Sequence, residues 1–372
     1  MSRNLVTVRN IGNLAPIPGA DQIEVAEVDG WKCVVKKGEF KVGDQCLYLE
    51  IDSLVPATHP EFPQFHFLEK NAKYEKDGYK FARIRTIKLR KQISQGLALP
   101  LSMFPDLFHD NAEMNAAIPP EDLANHFFVT LYEPPQVSIG GPQRIQGNFP
   151  IFIPKTDQER VQNMFQEIKN RQNHVRWDHE KKELIQLPND KVETYEVSIK
   201  MDGTSVTIYR TVETNPETNE RIDHFGVCSK NWEIEEDKDN KYWDAALQYN
   251  LKDKLFPGYA IQGEICGPGI QHNNEKLKDL KLFVYNVYDI DRKQYLSPDD
   301  CRKFCEFIQL EHVPVLHEDF EFTFENIQEV LDFADGKSYN PDVNREGLVF
   351  KSNSSDFSFK VISNKYLLEN DE

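Results

Sequence analysis

The chain has 372 residues, with 44 lysines and arginines against 61 aspartates and glutamates, which gives a formal charge of -17. This length exceeds one typical compact domain and is enough for two domains, each with its own core. The negative net charge argues against a protein that coats nucleic acid by bulk positive charge, so any such binding must rest on local patches. Residues 1–145 have a net charge of -2 and residues 146–372 a net charge of -15, so the acidity lies almost wholly in the second part.

The cysteine pattern predicts reduced thiols rather than disulfides or a zinc site. No Cys-x-x-Cys pair occurs, and no histidine stands at zinc-ligand spacing from a cysteine. Residues 1–30 do not resemble a signal peptide, and no apolar run approaches the ~18 residues of a membrane span. We therefore expect a soluble, intracellular protein without a membrane partner. The six cysteines are Cys33, Cys46, Cys228, Cys266, Cys301 and Cys305.

The first hundred residues are predicted to form short strands separated by glycine turns. One strand is expected at 23–28, closed by Asp29-Gly30, and further strands at 31–35 and 45–51. Many short strands with glycine turns are typical of a small barrel or sandwich. The stretch from Lys36 to Asp44 resembles the loop of a small β-barrel, as in the N-terminal OB-like module of one group of RNA ligases.

A basic segment follows at 80–91, with no acidic residue. Its basic and apolar residues nearly alternate, which predicts a strand with one cationic face. Such a face is the best candidate in this acidic chain for a track along a phosphate backbone. The alternative is a solvated strand face balanced by neighbouring acids. The candidate RNA-binding residues are Lys80, Arg83, Arg85, Lys88, Arg90 and Lys91.

Residues 105–150 are rich in proline and asparagine, which predicts a linker. A helix start is then expected with Thr156 or Asp157 as its cap. We therefore predict two domains: 1–145, an OB-like RNA-binding module with its proline-rich linker, and 146–372. From 195 to 360 strands dominate, with helical stretches near 243–249, 298–307 and 324–334.

The most informative stretch is the turn Lys200-Met201-Asp202-Gly203 between two β-rich flanks. A lysine beside an Asp-Gly turn is a candidate nucleophile, but Lys-x-Asp-Gly is also typical of an ordinary hairpin turn. Competing signatures fail: Gly336-Lys337-Ser338 has the tail of a phosphate-binding loop, yet Leu331 stands where its first glycine is required. The surrounding motifs must therefore decide the meaning of the lysine turn.

Five further elements follow Lys200 in order, at 227–231, 262–267, 282–290, 345–351 and 357–362. Together with the lysine turn they resemble the motifs of the covalent nucleotidyltransferases, the superfamily of polynucleotide ligases and mRNA-capping enzymes. The resemblance covers roughly residues 155–365. It implies an α+β fold: an N-terminal OB-like β-barrel, then a nucleotidyltransferase domain built on antiparallel β-sheets with flanking helices.

The resemblance and the chemistry together give each residue type a role. Lys200 would form a lysyl-AMP phosphoramidate with ATP, which requires a neutral amine. Asp202, Glu264 and Glu346 would supply oxygen donors for Mg²⁺ or Mn²⁺, some through water. Lys360 is the expected cation for the α-phosphate and second catalytic residue, with Lys351 a weaker candidate. For the two glutamates, the alternative is a simple turn acid.

An aromatic side chain is expected to stack on the adenine. Tyr285 and Phe283 would lie on the same face of one strand, and the family resemblance favours Tyr285. The alternative is that this strand is simply core, above all for Phe283. The candidate nucleotide-binding residues are Lys200, Glu264, Tyr285, Lys230, Lys351 and Lys360.

Two positions depart from the family pattern. Ser229-Lys230 stands where the family usually has Ser-Arg, which keeps the charge but loses the planar guanidinium. Ile362 stands at the second lysine of the last motif, and the next lysine is Lys365. Only Lys360 carries over directly from that motif.

The order of the modules selects among the superfamily. DNA ligases and capping enzymes typically place an OB domain after the catalytic domain, but only 12 residues follow Lys360, so no such domain is expected. An upstream barrel resembles the ATP-dependent RNA ligases with an N-terminal OB module. We therefore expect an enzyme that joins 3′-hydroxyl and 5′-phosphate RNA ends through ligase-AMP and RNA-adenylate in RNA repair, with no obligatory protein partner. A nicked duplex is one candidate substrate. The alternatives are a capping-type guanylyltransferase using GTP and a catalytically inactive RNA-binding protein.

Overall fold

The computed structural model describes residues 4–108, 122–132, 144–173, 175–178, 181–186, 192–214 and 218–370. These residues divide into two compact units: those within Met1–Pro135 and Leu367–Glu372, and those within Gln136–Tyr366. Within the described part of the chain, no helix is long and apolar enough to cross a membrane. All six cysteines are buried and free, as predicted from their spacing.

The described residues of the first unit form two larger sheets around apolar cores and one separate two-stranded hairpin. A five-stranded sheet has the order β10-β4-β1-β2-β3, and a four-stranded sheet has the order β11-β5-β7-β6. Trp31 and Tyr48 are fully buried in the core of the larger sheet. The predicted strands at 23–28 and 31–35 are confirmed, and the strand predicted at 45–51 is present but ends at Leu49. The strands are β1 Val6–Pro16, β2 Ile23–Val28, β3 Trp31–Lys36, β4 Gln45–Leu49, β5 Ser53–Pro56, β6 Tyr74–Lys76, β7 Tyr79–Arg83, β8 Ile87–Leu89, β9 Gln92–Ser94, β10 Leu97–Pro100 and β11 Thr130–Leu131, with the helix α1 at Leu123–His126 and 3₁₀ turns at Pro63–Asn71 and Leu101–Met103.

Part of the predicted linker belongs to this unit. Residues 122–132 carry α1 and β11, and β11 pairs with β5. Leu123 and Phe127 are buried in a core with Phe65 and Phe104. Proline and asparagine content alone did not reveal these apolar anchors, so the linker interpretation does not hold for this stretch. Residues 109–121 and 133–143 of the predicted linker lie outside the described residues.

The basic segment is not one strand, contrary to the sequence prediction. It divides into β7 and β8, which belong to different sheets: β7 pairs with β5 and β6, whereas β8 forms a separate hairpin with β9. Ile84, between the two strands, is buried and donates its backbone N–H to the Ser53 carbonyl. The cations of the segment are therefore divided between two sheets rather than carried by one strand.

The second unit contains two larger antiparallel sheets with two short parallel pairs, β13 with β26 and β21 with β23. One sheet has the order β12-β19-β18-β17-β20-β21-β22, and the other β13-β26-β25-β16-β24. The strands are β12 Ile145–Asn148, β13 Glu159–Arg160, β14 Val175–Asp178, β15 Glu183–Gln186, β16 Thr194–Lys200, β17 Thr204–Thr214, β18 Arg221–Cys228, β19 Trp232–Ile234, β20 Tyr259–Cys266, β21 Lys281–Asp289, β22 Gln294–Tyr295, β23 Glu311–His312, β24 Val315–Glu321, β25 Gly347–Ser352 and β26 Ser358–Ile362.

Helices also occur in this part of the chain. The three predicted helical stretches are confirmed as α3, α5 and α6, and Cys301 and Cys305 lie on the buried face of α5. The predicted cap of the helix after residue 156 is wrong, because α2 begins only at Val161 and has no side-chain cap. The helices are α2 Val161–Gln172, α3 Lys241–Gln248, α4 Leu251–Lys254, α5 Pro298–Ile308, α6 Ile327–Ala334 and α7 Asn364–Glu369.

The lysine turn connects the two sheets of this unit. Lys200 ends β16 and Thr204 begins β17, and these strands belong to different sheets, so the turn is not a hairpin turn. Gly203 is required by packing: a Cβ there would lie 2.3 Å from the Ile265 carbonyl oxygen and 2.7 Å from the Cys266 sulfur. The turn is thereby pressed against the end of β20, which carries Glu264.

Candidate active site

A cleft of about 240 Å³ in the second unit collects the predicted nucleotide-contacting residues. Its lining comes from β16, β17, β20, β21, β25 and β26, from the connection between β18 and β19, and from the segment that precedes β13. Because β16 and β17 carry the lysine turn between the sheets, the turn lies where the two sheets meet. All six predicted residues line this cleft: Lys200, Glu264, Tyr285, Lys230, Lys351 and Lys360.

Lys200 is surrounded by carboxylates. Its Nζ lies 2.6 Å from Glu346 Oε2, and the side chains are 28% and 17% exposed. Burial alone would lower the pKa of Lys200, but the negative charges of Glu346, Glu264 and Asp202 outweigh it and raise the pKa above its usual range. In the metal-free protein the lysine is therefore held as the ammonium ion.

Burial and the neighbouring charges also shift the pKa values of the two glutamates near Lys200. Burial raises the pKa of Glu264 to about 8, with Glu346 and Asp202 adding to the rise and Lys200 opposing it. Burial also raises the pKa of Glu346, although Lys200 pulls it back. The cluster therefore holds more carboxyl groups than one lysine can neutralise.

Asp202 acts on the same lysine through its charge, but its hydrogen bonds go to other partners. Its Oδ2 accepts hydrogen bonds from the side-chain amide of Asn274 and from the Tyr366 hydroxyl, the latter at 2.5 Å. Its charge also raises the pKa of Lys200, after the contributions of Glu346 and Glu264. Asp202 and Glu346 are both close to Lys200 without being part of the cleft lining.

The carboxylates suit a hard divalent cation by their donor chemistry, since Mg²⁺ and Mn²⁺ prefer oxygen ligands. The excess of carboxyl groups around Lys200, seen in the raised pKa of Glu264, is what a bound cation would relieve. Within the described ranges, however, no three His, Cys, Asp or Glu side chains lie close enough together to hold one metal ion directly. Asp202, Glu264 and Glu346 therefore offer the right atoms without forming a closed cage.

For two other lysines of the cleft, Lys351 and Lys360, the pKa shifts in the opposite direction from that of Lys200. Burial lowers the pKa of Lys351, whose Nζ donates to the Tyr285 backbone carbonyl. Burial also lowers the pKa of Lys360, with Arg160 and Lys200 adding to the fall and Asp157 opposing it. Lys360 Nζ lies 3.0 Å from Asp157 Oδ1.

The two aromatic candidates differ in their exposure to the cleft. Phe283 is fully buried and packs edge-on against Tyr339, so the core interpretation is confirmed for it. Tyr285 lines the cleft, and its hydroxyl lies 2.8 Å from Ser205 Oγ and 3.0 Å from Thr156 Oγ1. These bonds fix the orientation of a ring that stands at the cleft.

Sequence reasoning missed several residues of the cleft. Thr156 and Asp157 were predicted as a helix cap, but they bind Tyr285 and Lys360 instead. Lys155 also lines the cleft and donates to the Asn231 side chain at 2.8 Å. The residue spacing gave no signal for them, because they lie more than 40 residues before Lys200 in a stretch without a motif.

The basic segment belongs to the first unit and not to the cleft. Arg83 donates to Asp52 at 2.7 Å and stacks at 4.1 Å on the Tyr132 ring, so it is engaged within its own unit. Arg90 and Lys91 form the tip of the β8–β9 hairpin, both with positive φ. The exposed cations are Lys80, Arg85, Lys88, Arg90 and Lys91.

Comparisons with known proteins agree with this division. The OB-fold domain family matches residues 5–101, and the RNA ligase family matches residues 193–362. A variant of the Naegleria gruberi RNA ligase solved with ATP and Mn is 37% identical, with a TM-score of 0.79 and coverage of 99% of both chains. No curated protein matches the chain.

Two further structures of the same Naegleria gruberi enzyme show the same likeness. A variant with AMP and Mn is 38% identical at a TM-score of 0.79, covering 99% of both chains. The enzyme with pyrophosphate is 37% identical at a TM-score of 0.79, covering 100% of this chain and 99% of that one. The similarity therefore extends over both units and not only over the lysine motifs.

Proposed function

The chain belongs to the RNA ligase family, and we propose that it joins RNA 3′-hydroxyl and 5′-phosphate ends with ATP, through an adenylate carried on Lys200. One observation carries this proposal: Lys200 lines a cleft and is surrounded by three carboxylates, and four further lysines line the same cleft. The related structures hold ATP with Mn, AMP with Mn, and pyrophosphate, and these nucleotides and pyrophosphate are the substrate, the transferred group and the leaving group of such a step.

In the first step, Lys200 Nζ attacks the α-phosphorus of ATP, a P–N bond forms, and pyrophosphate leaves. The lysine must first lose its proton, and Glu346 Oε2, 2.6 Å away, is positioned to accept it. A divalent cation, when bound, would supply positive charge that lowers the pKa of Lys200 and offsets charge on the phosphate oxygens. We assign Asp202, Glu264 and Glu346 as the residues that hold it, partly through water.

The remaining cleft residues bind the nucleotide. Lys360 and Lys351 are placed to stabilise negative charge on the α-phosphate oxygens. Tyr285, fixed by Ser205 and Thr156, provides a ring for stacking on the adenine. Lys230 lines the cleft and would contact the ribose or a phosphate as a point charge.

Two steps on RNA complete the reaction. The 5′-phosphate of one end attacks the adenylate on Lys200, which frees the lysine, and the 3′-hydroxyl of the other end then displaces AMP. We propose a nicked duplex or a broken RNA as the substrate, in RNA repair. The six free, buried cysteines support a location inside the cell, where thiols stay reduced.

We propose that residues 1–145 are an RNA-binding module and 146–372 the adenylyltransferase domain. The OB-fold match to residues 5–101 and the exposed cations of the basic segment support the first assignment. The RNA ligase match to residues 193–362 supports the second. Neither assignment requires a further protein subunit for catalysis.

The decisive test of the nucleotide chemistry is transfer of label from α-labelled ATP or GTP to the denatured polypeptide in the presence of Mg²⁺ or Mn²⁺. We expect labelling from ATP, and none in Lys200→Met, because methionine has no nucleophilic nitrogen. Lys281→Met is the matched control, since its amine is engaged by Glu311 and Tyr339 in the same unit. Labelling from GTP only would favour the guanylyltransferase, and labelling from neither nucleotide would favour the inactive RNA-binding protein.

The basic segment is tested by the variant Arg85→Ala, Lys88→Ala, Lys91→Ala. We expect weaker RNA binding and a salt dependence flattened by roughly 2 in its logarithmic slope, because each lost phosphate contact removes about 0.7–0.9. Arg83 is spared because its pairing with Asp52 supports the fold. The measurement is an RNA dissociation constant at several salt concentrations.

The control for this variant is Lys70→Ala, Lys73→Ala, two exposed lysines of the same unit outside the segment. It should bind RNA like the parent protein. Self-adenylation should be unchanged in both variants. Loss of self-adenylation with RNA binding intact would show that these cations are not the RNA track.

A further inference from the structure

Asp202 is held by a pair of neutral donors that the lysine motif does not contain. Asn274 Nδ2 and Tyr366 Oη both donate to the same oxygen, Asp202 Oδ2. Asn274 Nδ2 also donates to Tyr366 Oη at 3.1 Å, so the three side chains form a closed triangle. The donors lie 72 and 164 residues after Asp202 in the sequence.

Asn274 stands on a loop that contacts the lysine turn at a second point. Gln271 Nε2 donates to the Gly203 carbonyl at 3.1 Å. The loop is itself closed by Asn273, whose Oδ1 accepts from the Leu277 backbone N–H at 3.1 Å and whose Nδ2 donates to the Leu277 carbonyl at 2.9 Å. These bonds fix the loop that carries Asn274 next to the lysine turn.

The same loop is anchored by a buried carboxylate. Glu275 is 4% exposed and accepts hydrogen bonds from the Ser338 hydroxyl and from the Asn340 backbone N–H, the latter at 2.9 Å. Asn340 Nδ2 returns a bond to the Glu275 carbonyl at 3.0 Å. The residue next to Asn274 is therefore tied to a different part of the unit, which restricts where the Asn274 amide can point.

Hydrogen bonds connect Tyr366 through Ser363 to Glu346, the acid that contacts Lys200. Its backbone N–H donates to Ser363 Oγ at 3.1 Å, and the Ser363 backbone N–H donates to the Glu346 carbonyl at 2.9 Å. Ser363 Oγ in turn donates to Asp335 Oδ1 at 2.6 Å. The segment that follows β26 thus contacts Glu346 through its backbone and Asp202 through a phenol.

We propose that Asn274 and Tyr366 are positioning residues that orient the Asp202 carboxylate toward Lys200 during adenylation. Both donors are uncharged, so they fix one oxygen without neutralising the negative charge that the site needs. A cationic partner would have fixed the group equally well but would have cancelled its charge. This inference rests on the proposed role of Asp202 in adenylate formation.

The test is Tyr366→Phe, which removes one hydroxyl and keeps the ring. Removing a residue that orients a metal-binding carboxylate typically costs about 10–100-fold in activity or metal affinity. We expect the single-turnover rate of Lys200 adenylation to fall about tenfold at saturating ATP, and Mn²⁺ binding, measured by EPR without ATP, to weaken by a similar factor. Tyr339→Phe, which removes a phenol bonded to Lys281, should change neither quantity.

A double-mutant cycle separates positioning from simple structural support. In the background Asp202→Asn, Tyr366→Phe should have little further effect on the adenylation rate, because the phenol acts through the carboxylate. Asn274→Ala should behave like Tyr366→Phe, and the unfolding midpoint of each variant shows whether it is folded. Should one variant fail to fold, the other carries the same cycle.

The outcomes are distinct. If Asp202→Asn leaves adenylation and Mn²⁺ binding unchanged, the proposed role of Asp202 fails, and with it the basis of the inference. If Asp202→Asn impairs both but Tyr366→Phe and Asn274→Ala resemble Tyr339→Phe, the positioning role alone is overturned. Additive losses in the double variants would also overturn it, since they would show that the donors act independently of Asp202.

Discussion

Lys200 and Lys351 line the same cleft, are both partly buried, and have pKa values that move in opposite directions. Burial lowers the pKa of each, because a low-dielectric surrounding disfavours the ammonium ion. At Lys200 three carboxylates reverse the effect, whereas the carboxylate acting on Lys351 is Glu196, which is itself paired with Arg302. Neighbouring charge, and not burial, therefore distinguishes the two lysines.

This difference matches two different tasks. A group that must offer a lone pair needs a neighbour that can take its proton, and Glu346 is such a neighbour for Lys200. A group that only offers positive charge to phosphate oxygens needs no proton acceptor, and Lys351 donates to the Tyr285 carbonyl. The comparison therefore supports the proposed roles of Lys200 as the nucleophile and Lys351 as the electrostatic partner.

The largest expected effect comes from removing the charge of Lys351. We expect Lys351→Met to lower the adenylation rate at saturating ATP by about 100-fold, since losing one preorganised donor to a developing anion costs roughly 10²–10³. Label transfer from ATP under single-turnover conditions measures this rate. The result would confirm that a lysine other than the nucleophile acts on the phosphates.

Two controls make this prediction specific. Lys281→Met removes a lysine of the same unit that is engaged by Glu311 and Tyr339, and it should leave the rate unchanged. The unfolding midpoint of Lys351→Met should stay near that of the parent protein. A loss below threefold in a folded variant would show that Lys351 is merely a buried structural cation.

A smaller effect is expected when the partner of Lys200 is neutralised. In metal-free protein, Glu346→Gln should lower the pKa of Lys200 by at least about one unit, equivalent to roughly 1.4 kcal/mol, because the strongest charge that raises it is removed. Titration of the lysine ε-carbon by NMR measures this value. The pKa of Lys200 would then lie closer to that of Lys351.

The matched control is Glu233→Gln, which removes a carboxylate bonded to Tyr209 and His224 in the same unit. It should leave the pKa of Lys200 where it is. Equal pKa values of Lys200 in parent and Glu346→Gln would show that Glu264 and Asp202 alone hold the lysine charged. The contrast between Lys200 and Lys351 would then rest on those two acids.

The sequence predicted the parts of the site that lie on strands with a motif. Lys200, Glu264 and Lys351 could be found because each sits in a short pattern whose order along the chain is informative. Asn274 and Tyr366 could not, since a single asparagine and tyrosine far along the chain carry no pattern. Their role arises only when the loop before β21 and the segment after β26 are brought to the same carboxylate.

Local patterns also misled where long-range partners decide the structure. The alternation at 80–91 predicted one strand, but Ile84 is buried between two strands and Arg83 is paired with Asp52, 31 residues earlier. Thr156 and Asp157 have the composition of a helix cap, yet their partners Tyr285 and Lys360 lie more than 100 residues away. Such contacts between residues far apart in the sequence override local propensity.

The smallest expected effect is on the pH dependence of stability, where Glu264 should behave differently from a carboxylate in an ordinary ion pair. Because its folded pKa is raised to about 8, the folded protein binds more protons than the unfolded chain between about pH 4.5 and 8, so this group destabilises the metal-free protein progressively as pH rises through that window. Glu264→Gln should therefore match the parent in stability near pH 5 and exceed it by on the order of 1 kcal/mol near pH 8.5. Chemical unfolding in EDTA measures both stabilities.

The control is Glu233→Gln. The Glu233 carboxylate is hydrogen-bonded to Tyr209, and its replacement should give no such gain in stability. A stability difference that did not grow with pH would mean that Lys200 compensates Glu264 fully, and the acids around Lys200 would then be balanced rather than in excess.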